Sequence, residues 1–260
     1  MYQSLECRPD SHREWYQRGN KLRGEGYYHE ALTSYERALN YQPQDYWSWY
    51  RKGVVLEALG HYHEAINSFT RASTIEPENY WSWYEQGCIH FTEFGQYQEA
   101  IACFNQALKL RPQDYWATYR LGESYRHLGQ YEQALDYYDQ ALKLRPDDFW
   151  AYYRRGEALQ HLGKLEAALI SYQRACDLEP DDHWGWYQQG CCYAALNNRN
   201  WAIICLEKAI NLYPVKYLSL AIKSETWSDF RRQPGFQLLI TNKSSQFCYE
   251  QTYEERMRNI

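Results

Sequence analysis

The chain has 260 residues, a length that suits one or two ordinary domains or a single array of repeats, and its 45% hydrophobic and 23% charged residues give a globular balance. Its 11 tryptophans and 27 tyrosines are far above ordinary usage, so much of the apolar area is aromatic. A formal net charge of -5 excludes the global positive field that gathers nucleic acid or anionic lipid, and no stretch approaches the roughly 18 apolar residues of a membrane helix.

In chain order, residues 1–11 read as an N-terminal extension without the apolar core of a signal peptide, which leads to the expectation of a soluble cytoplasmic protein. A glycine then recurs at Gly19, Gly53, Gly87, Gly122, Gly156 and Gly190, in steps of 34, 34, 35, 34 and 34. Alanine follows twelve residues later at Ala31, Ala65, Ala134, Ala168 and Ala202, and thirteen later at Ala100. Twelve residues beyond each alanine stands a proline: Pro43, Pro77, Pro112, Pro146, Pro180 and Pro214. Between glycine and alanine lie Gly26, Gly60, Gly95, Gly129, Gly163 and Asn197, residues that accept the left-handed conformation with which helices end. Each period thus predicts helix A, a turn, helix B and a proline-marked connection, over 12–45, 46–79, 80–114, 115–148, 149–182 and 183–214. The third period carries one extra residue, in "HFTEFGQYQEA" at the turn, where an insertion disturbs the helices least.

The stretch "VKYLSLAIKSETWSDFRRQPGFQLLI" predicts capping helices over 215–241: an apolar helix through Leu220, then an amphipathic piece with Trp227, Phe230, Phe236 and Leu239. Residues 242–260 form a polar, mixed tail.

With each period numbered from seven residues before its glycine, Gly53 is position 8. Positions 4, 8 and 11 of helix A then share one face, as Trp49, Gly53 and Leu56 do. The glycine makes room for helix B, whose alanines, such as Ala65 and Ala72, permit close approach. No single pair covers its own apolar stripe, so stacking must stabilise the array.

These residues resemble the tetratricopeptide repeat (TPR) family, whose 34-residue pattern is met in the second period by Trp49, Gly53, Leu56, Gly60, Tyr62, Ala65, Phe69, Ala72 and Pro77. The wording "DYWSWYRKG" with "LGHYHEAINSF" is similar to cyanobacterial TPR arrays. The resemblance implies an all-α fold, a right-handed α-solenoid of six helix-turn-helix repeats with a C-terminal cap. It also implies that positions 2, 5, 6 and 9 of helix A face a concave groove that receives partner segments.

Position 4, with Trp15, Trp49, Trp83, Tyr152 and Trp186, matches the family's packing tryptophan and is assigned to the A–B core; Thr118 is the exception. Positions 2 and 5 centre about 130° from the 4/8/11 stripe. They carry Trp47, Trp81, Trp116, Trp150 and Trp184, and Tyr50, Tyr84, Tyr119, Tyr153 and Tyr187, joined at position 6 by Arg51, Arg120 and Arg154. Rigid aromatics and arginine dominate binding hot spots, so this ladder is the candidate partner-binding groove. The competing reading is that the rings only fill space between successive A helices, with tyrosine hydroxyls turned to solvent.

The expected occupant is a protein segment, which makes the chain an adaptor or assembly factor; self-association through the aromatic patch is a second partner class. A chaperone carboxylate clamp is rejected, because Tyr16, Asn20, Arg51, Trp81 and Glu85 occupy its places and only Asn20 agrees. Single-stranded nucleic acid stacking on the ladder is the alternative, opposed by the net charge and by Glu57, Glu85, Glu123 and Glu157. No Walker, HExxH, GxGxxG or GxSxG motif occurs, so no catalytic residue and no cofactor is assigned. His29, His61 and His63 near the turns read as solvated, not as metal ligands, and Asp147, Asp148, Asp181 and Asp182 as acids at helix N-termini. The eight cysteines show no CxxC or Cys/His ligand spacing; Cys88 with Cys191, and Cys103 with Cys205, read as reduced thiols in small core positions.

Overall fold

The computed structural model describes residues 10–245, and among these every regular element is helical. Most of the polar tail expected over 242–260 and most of the N-terminal extension lie outside the described residues. The chain divides after Leu128 into two compact units.

The first unit holds α1 (His12–Gly24), α2 (Tyr28–Tyr41), α3 (Tyr46–Ala58), α4 (Tyr62–Ile75), α5 (Tyr80–Thr92), α6 (Tyr97–Leu110) and α7 (Tyr115–His127). The second holds α8 (Tyr131–Leu144), α9 (Phe149–His161), α10 (Leu165–Leu178), α11 (His183–Ala195), α12 (Arg199–Leu212) and α13 (Pro214–Lys223), then a 3₁₀ turn at Glu225–Trp227 and a helix over 234–245.

The acids before helix A are N-caps. Asp45 Oδ2 accepts from the Ser48 amide at 2.7 Å, and Asp114 and Asp148 repeat the bond at 2.8 Å to Ala117 and Ala151. Each such cap is worth about 0.5–2 kcal/mol. Helix A ends on a positive φ: Gly60 stands at 78° while the next amide, of His61, returns to the Leu56 carbonyl at 2.8 Å. Asn197 takes the same region at 56°, so asparagine substitutes for glycine there as anticipated. In the third repeat the extra residue lengthens this turn, and Gln96 rather than its predecessor closes it, on His90 O at 2.8 Å. Phe94 of that turn packs its ring 4.6 Å from His63.

Position 8 shows why glycine is required at the A–B contact. A Cβ on Gly53 would lie 2.7 Å from the Phe69 ring of α4, and one on Gly156 2.6 Å from the Tyr172 ring of α10. The space is therefore filled by a whole aromatic ring of helix B, flanked by Ala65 and Ala72 in one case and Ala168 and Ala175 in the other, all fully buried. Burial of each such ring contributes about 1.5–3 kcal/mol.

Helix A of one repeat also meets helix B of the repeat before it through a polar seam. Lys52 reaches Glu36 at 2.9 Å and Thr70 donates to Gln86 at 3.0 Å; in the second unit Arg155 reaches Asp139 at 2.6 Å and Gln189 donates to Gln173 at 2.9 Å.

Position 4 packs at the edge of the helix A–helix B core, Trp49 against the cluster of Leu56, Ala65 and Phe69. Trp15 is buried, but Trp49, Trp83 and Trp186 are only half-buried, and their indole N–H groups donate to the carbonyls of Pro43, Pro77 and Pro180 at 2.8, 3.0 and 2.9 Å. These rings clamp the connection before helix A, since an indole N–H at an interface takes a carbonyl rather than remain unpaired.

At the C-terminal end, Tyr217, Leu218 and Ala221 of α13 join Trp227, Phe230, Phe236 and Leu239 in one core with Ala202, Leu206 and Ala209 of α12. Trp227 is fully buried.

Candidate functional site

The aromatic ladder separates into two populations. At position 2 the tryptophans are exposed, from 39% for Trp81 to 49% for Trp116, with Trp47, Trp150 and Trp184 between these values. At position 5, Tyr50 and Tyr153 are buried at 7% and 2%, and Tyr84, Tyr119 and Tyr187 are half-buried.

Position 1, which sequence reasoning left unassigned, explains the split. Tyr46, Tyr80, Tyr115 and Phe149 are all buried and stack on the position 5 ring one turn later, with centroids 5.5–6.0 Å apart and planes within 18°. Positions i and i+4 overlie on a helix, so the two rings form one slab. That slab rests on helix B: Tyr50 is 5.6 Å from Phe69, Tyr84 5.8 Å from Phe104 and Tyr153 5.7 Å from Tyr172. The position 2 tryptophans sit at the margin of this slab: Trp47 meets the edge of Tyr46 at 5.0 Å and 87° and that of Tyr50 at 5.9 Å and 89°, and Trp150 repeats both contacts with Phe149 and Tyr153. The signal was present in the recurring first letter of the phrases "YWSWY", "YWATY" and "FWAYY".

The buried tyrosines keep their hydroxyls paired instead of turning them to solvent. Tyr50 donates to Glu85 Oε1 at 3.2 Å, linking α3 to α5, and Ser82 Oγ donates to Tyr46 at 3.0 Å. In the second unit Gln188 donates to Tyr153 at 3.5 Å and the Trp227 indole to Tyr187 at 3.4 Å. Burial raises the phenol of each of these tyrosines above its ordinary range, Tyr187 to about 12.

The position 6 arginines lie along aromatic faces. The Arg51 guanidinium is 5.6 Å from the Tyr50 ring and that of Arg120 5.2 Å from Phe91. Their Nε atoms are buried without a hydrogen-bond partner. Arg154 lies 5.7 Å from Trp150 and 5.5 Å from Tyr153, and already holds Glu157 at 2.6 Å. Acids share this surface: burial, with Glu85 and Glu93 nearby, pushes the Glu57 carboxyl up to about 7, and burial likewise raises Glu85 against the lowering effect of the Tyr50 hydrogen bond. Among the described residues no group of three or more His, Cys, Asp or Glu is placed to hold a metal ion. No described helix is long and apolar enough to cross a membrane.

In the first unit the exposed tryptophans open onto a cleft of about 770 Å³, lined by Trp47, Glu76, Pro77, Glu78, Asn79, Tyr80, Trp81, Leu110 and Arg111. The Arg111 guanidinium sits 4.4 Å from the Tyr80 ring and 4.9 Å from that of Trp81.

Models of the tetratricopeptide repeat match residues 12–45, 34–67, 84–149, 119–183 and 183–214. No curated protein matches the chain. Among solved structures it is similar to YrrB, described as a TPR protein with an unusual peptide-binding site, at 25% identity over 73% of this chain and 97% of that one, with a TM-score of 0.65. MamA from Desulfovibrio magneticus RS-1 shares 21% identity over 66% and 97% at a TM-score of 0.62, and PilF of Pseudomonas aeruginosa 17% over 85% and 96% at 0.62; these two likenesses concern the fold. Period, helix pairing and matched models agree, and the chain belongs to the tetratricopeptide repeat family.

Proposed function

We propose that this protein is a non-catalytic scaffold that binds a segment of a partner protein on its position 2 tryptophans, Trp47, Trp81 and Trp116 in the first unit and Trp150 and Trp184 in the second. The observation that carries this reading is the exposure of five indoles at one helical position while the tyrosines three residues later are buried or half-buried. Scattered exposed apolar residues need no explanation, but a large aromatic repeated at one exposed position is the residue type on which binding energy concentrates. The position 6 arginines lie on the same helices, Arg51 over Tyr50 and Arg154 over Trp150, and add charge beside the indoles for a partner's acids. Family membership supports the class of function, and YrrB, the similar structure at 25% identity, is itself described as having a peptide-binding site.

Affinity capture with the native chain and a Trp81→Ala, Trp116→Ala, Trp150→Ala variant shown to remain folded tests the reading. Retention of a protein by the native chain and its loss with the variant supports the site, and unchanged capture removes it. Single-stranded nucleic acid is tested in parallel: binding at low salt that collapses with added salt favours that alternative over a protein segment.

A further inference from the structure

We infer that the cleft between Trp47 and Trp81 receives an arginine or lysine side chain of the partner segment, held against the Trp47 indole and balanced by Glu76 and Glu78. This rests on the partner-binding reading above and names the chemistry of one of its contacts.

The protein itself shows what its position 2 indoles accept. Arg111, the residue just before Pro112, lays its guanidinium over Tyr80 and Trp81 at 4.4 and 4.9 Å. In the second unit Lys216 brings its Nζ to 3.5 Å from the centre of the Trp184 ring. Both are cations over aromatic faces within the roughly 6 Å at which the ring quadrupole attracts them. The second repeat breaks the pattern. Its residue before Pro77 is Glu76 where the third repeat has Arg111, and among the described residues no lysine or arginine lies over the Trp47 ring, which is 42% exposed. Trp47 thus has the aromatic face that Trp81 and Trp184 offer to a cation, with an acid, Glu76, where the third repeat supplies Arg111.

The cleft is shaped for a long side chain. Its volume of about 770 Å³ exceeds what one side chain fills, Trp47 forms one wall and Tyr80 with Trp81 another, and Glu76 and Glu78 are exposed on the connection between them. Glu76 Oε2 accepts from Asn79 Nδ2 at 3.2 Å, which leaves its other oxygen for a guanidinium or ammonium. Arg111 is the one basic residue in the lining against two carboxylates, so a second cation beside Trp47 balances the cleft and an added carboxylate would not. The formal net charge of -5 favours encounter with a basic segment in the same sense.

The test follows the tryptophan indole N–H resonances of the full ¹⁵N-labelled chain during titration with N-acetyl-arginine amide, with the neutral isostere N-acetyl-citrulline amide as control. The Trp47 resonance is identified by its loss in Trp47→Phe. Arginine amide is expected to shift it saturably, at least about tenfold more tightly than citrulline amide, and Glu76→Arg, which copies the third repeat, abolishes the response. Arg111→Ala is expected to give Trp81 a stronger arginine response than in the native chain. Equal responses to arginine and citrulline, no saturable response, or an arginine response unaffected by Glu76→Arg would each overturn the inference. Failure here with protein capture still lost in the tryptophan variant leaves the scaffold reading standing, whereas unchanged capture removes both.

Discussion

Trp150 and Tyr153, three residues apart on α9, offer the sharpest test of whether the exposed indoles are spare. Tyr153 is 2% exposed and contacts Phe149, Tyr172 and the edges of Trp150 and Trp184. Its truncation to alanine removes on the order of 200 Å² of buried ring, or about 5 kcal/mol as an upper bound at 25 cal/mol per Å², within the 3–5 kcal/mol usual for aromatic-to-alanine changes in cores. Trp150 is 45% exposed and keeps about half its surface in water. Area bookkeeping then allows about 3 kcal/mol at most, and residual burial in the unfolded chain together with the better helix propensity of alanine lowers the net loss to about 1–2 kcal/mol. The assay is urea unfolding followed by far-ultraviolet circular dichroism on Tyr153→Ala and Trp150→Ala under the same conditions. A gap of about 2 kcal/mol, which is on the order of 1 M urea in midpoint, is expected between them. An equal or larger loss for Trp150→Ala would mean that the tryptophan is scaffold, and the proposed binding surface would fall with it.

Gly53→Ala is expected to destabilise by about 1–2 kcal/mol, because the clash with the Phe69 ring outweighs the roughly 0.8–1 kcal/mol gained in helix propensity. Gly24→Ala, at a helical position with nothing within 4 Å, should instead stabilise by about 0.5–1 kcal/mol; the same sign for both in urea melts would refute the ring-in-pocket account. The Glu57 carboxyl is raised from 4.5 to about 7 in the folded chain, so the folded state binds the extra proton and stability falls as pH rises through that window. After discounting for its partial exposure, native protein should lose about 1 kcal/mol between pH 5 and pH 8 that Glu57→Gln does not lose; parallel pH profiles of the melting temperature would contradict this. Burial pushes the thiols of Cys191 and Cys192 up to about 12, so their alkylation by iodoacetamide at pH 8 should be at least about 100-fold slower in the folded than in the urea-unfolded chain, and rapid native labelling followed by mass spectrometry would count against their buried placement.

Period, turn residues and caps were legible along the chain because each acts locally. A glycine or asparagine with positive φ, an aspartate accepting the third amide of a helix and a proline that ends helix B need no distant partner to be recognised, and Gly60, Asn197, Asp148 and Pro77 all do what local chemistry asks. The amphipathic closing segment buries Trp227 and Phe236 in one core with α12.

The division of the aromatic ladder was decided by tertiary packing. Positions 2 and 5 differ by only about 60° on a helical wheel, so periodicity placed Trp47 and Tyr50 in one stripe. The Phe69 ring, seated in the pocket left by Gly53, contacts Tyr50, which stacks on Tyr46, and these contacts bury the two tyrosines while Trp47 stays 42% exposed. The cation over Trp81 has the same origin. Arg111 and Trp81 are thirty residues apart, and only the return of helix B to the start of helix A brings a guanidinium onto an indole face. Composition shows which residue types are available for binding, but which rings keep an open face depends on how each helix B leans on its own helix A.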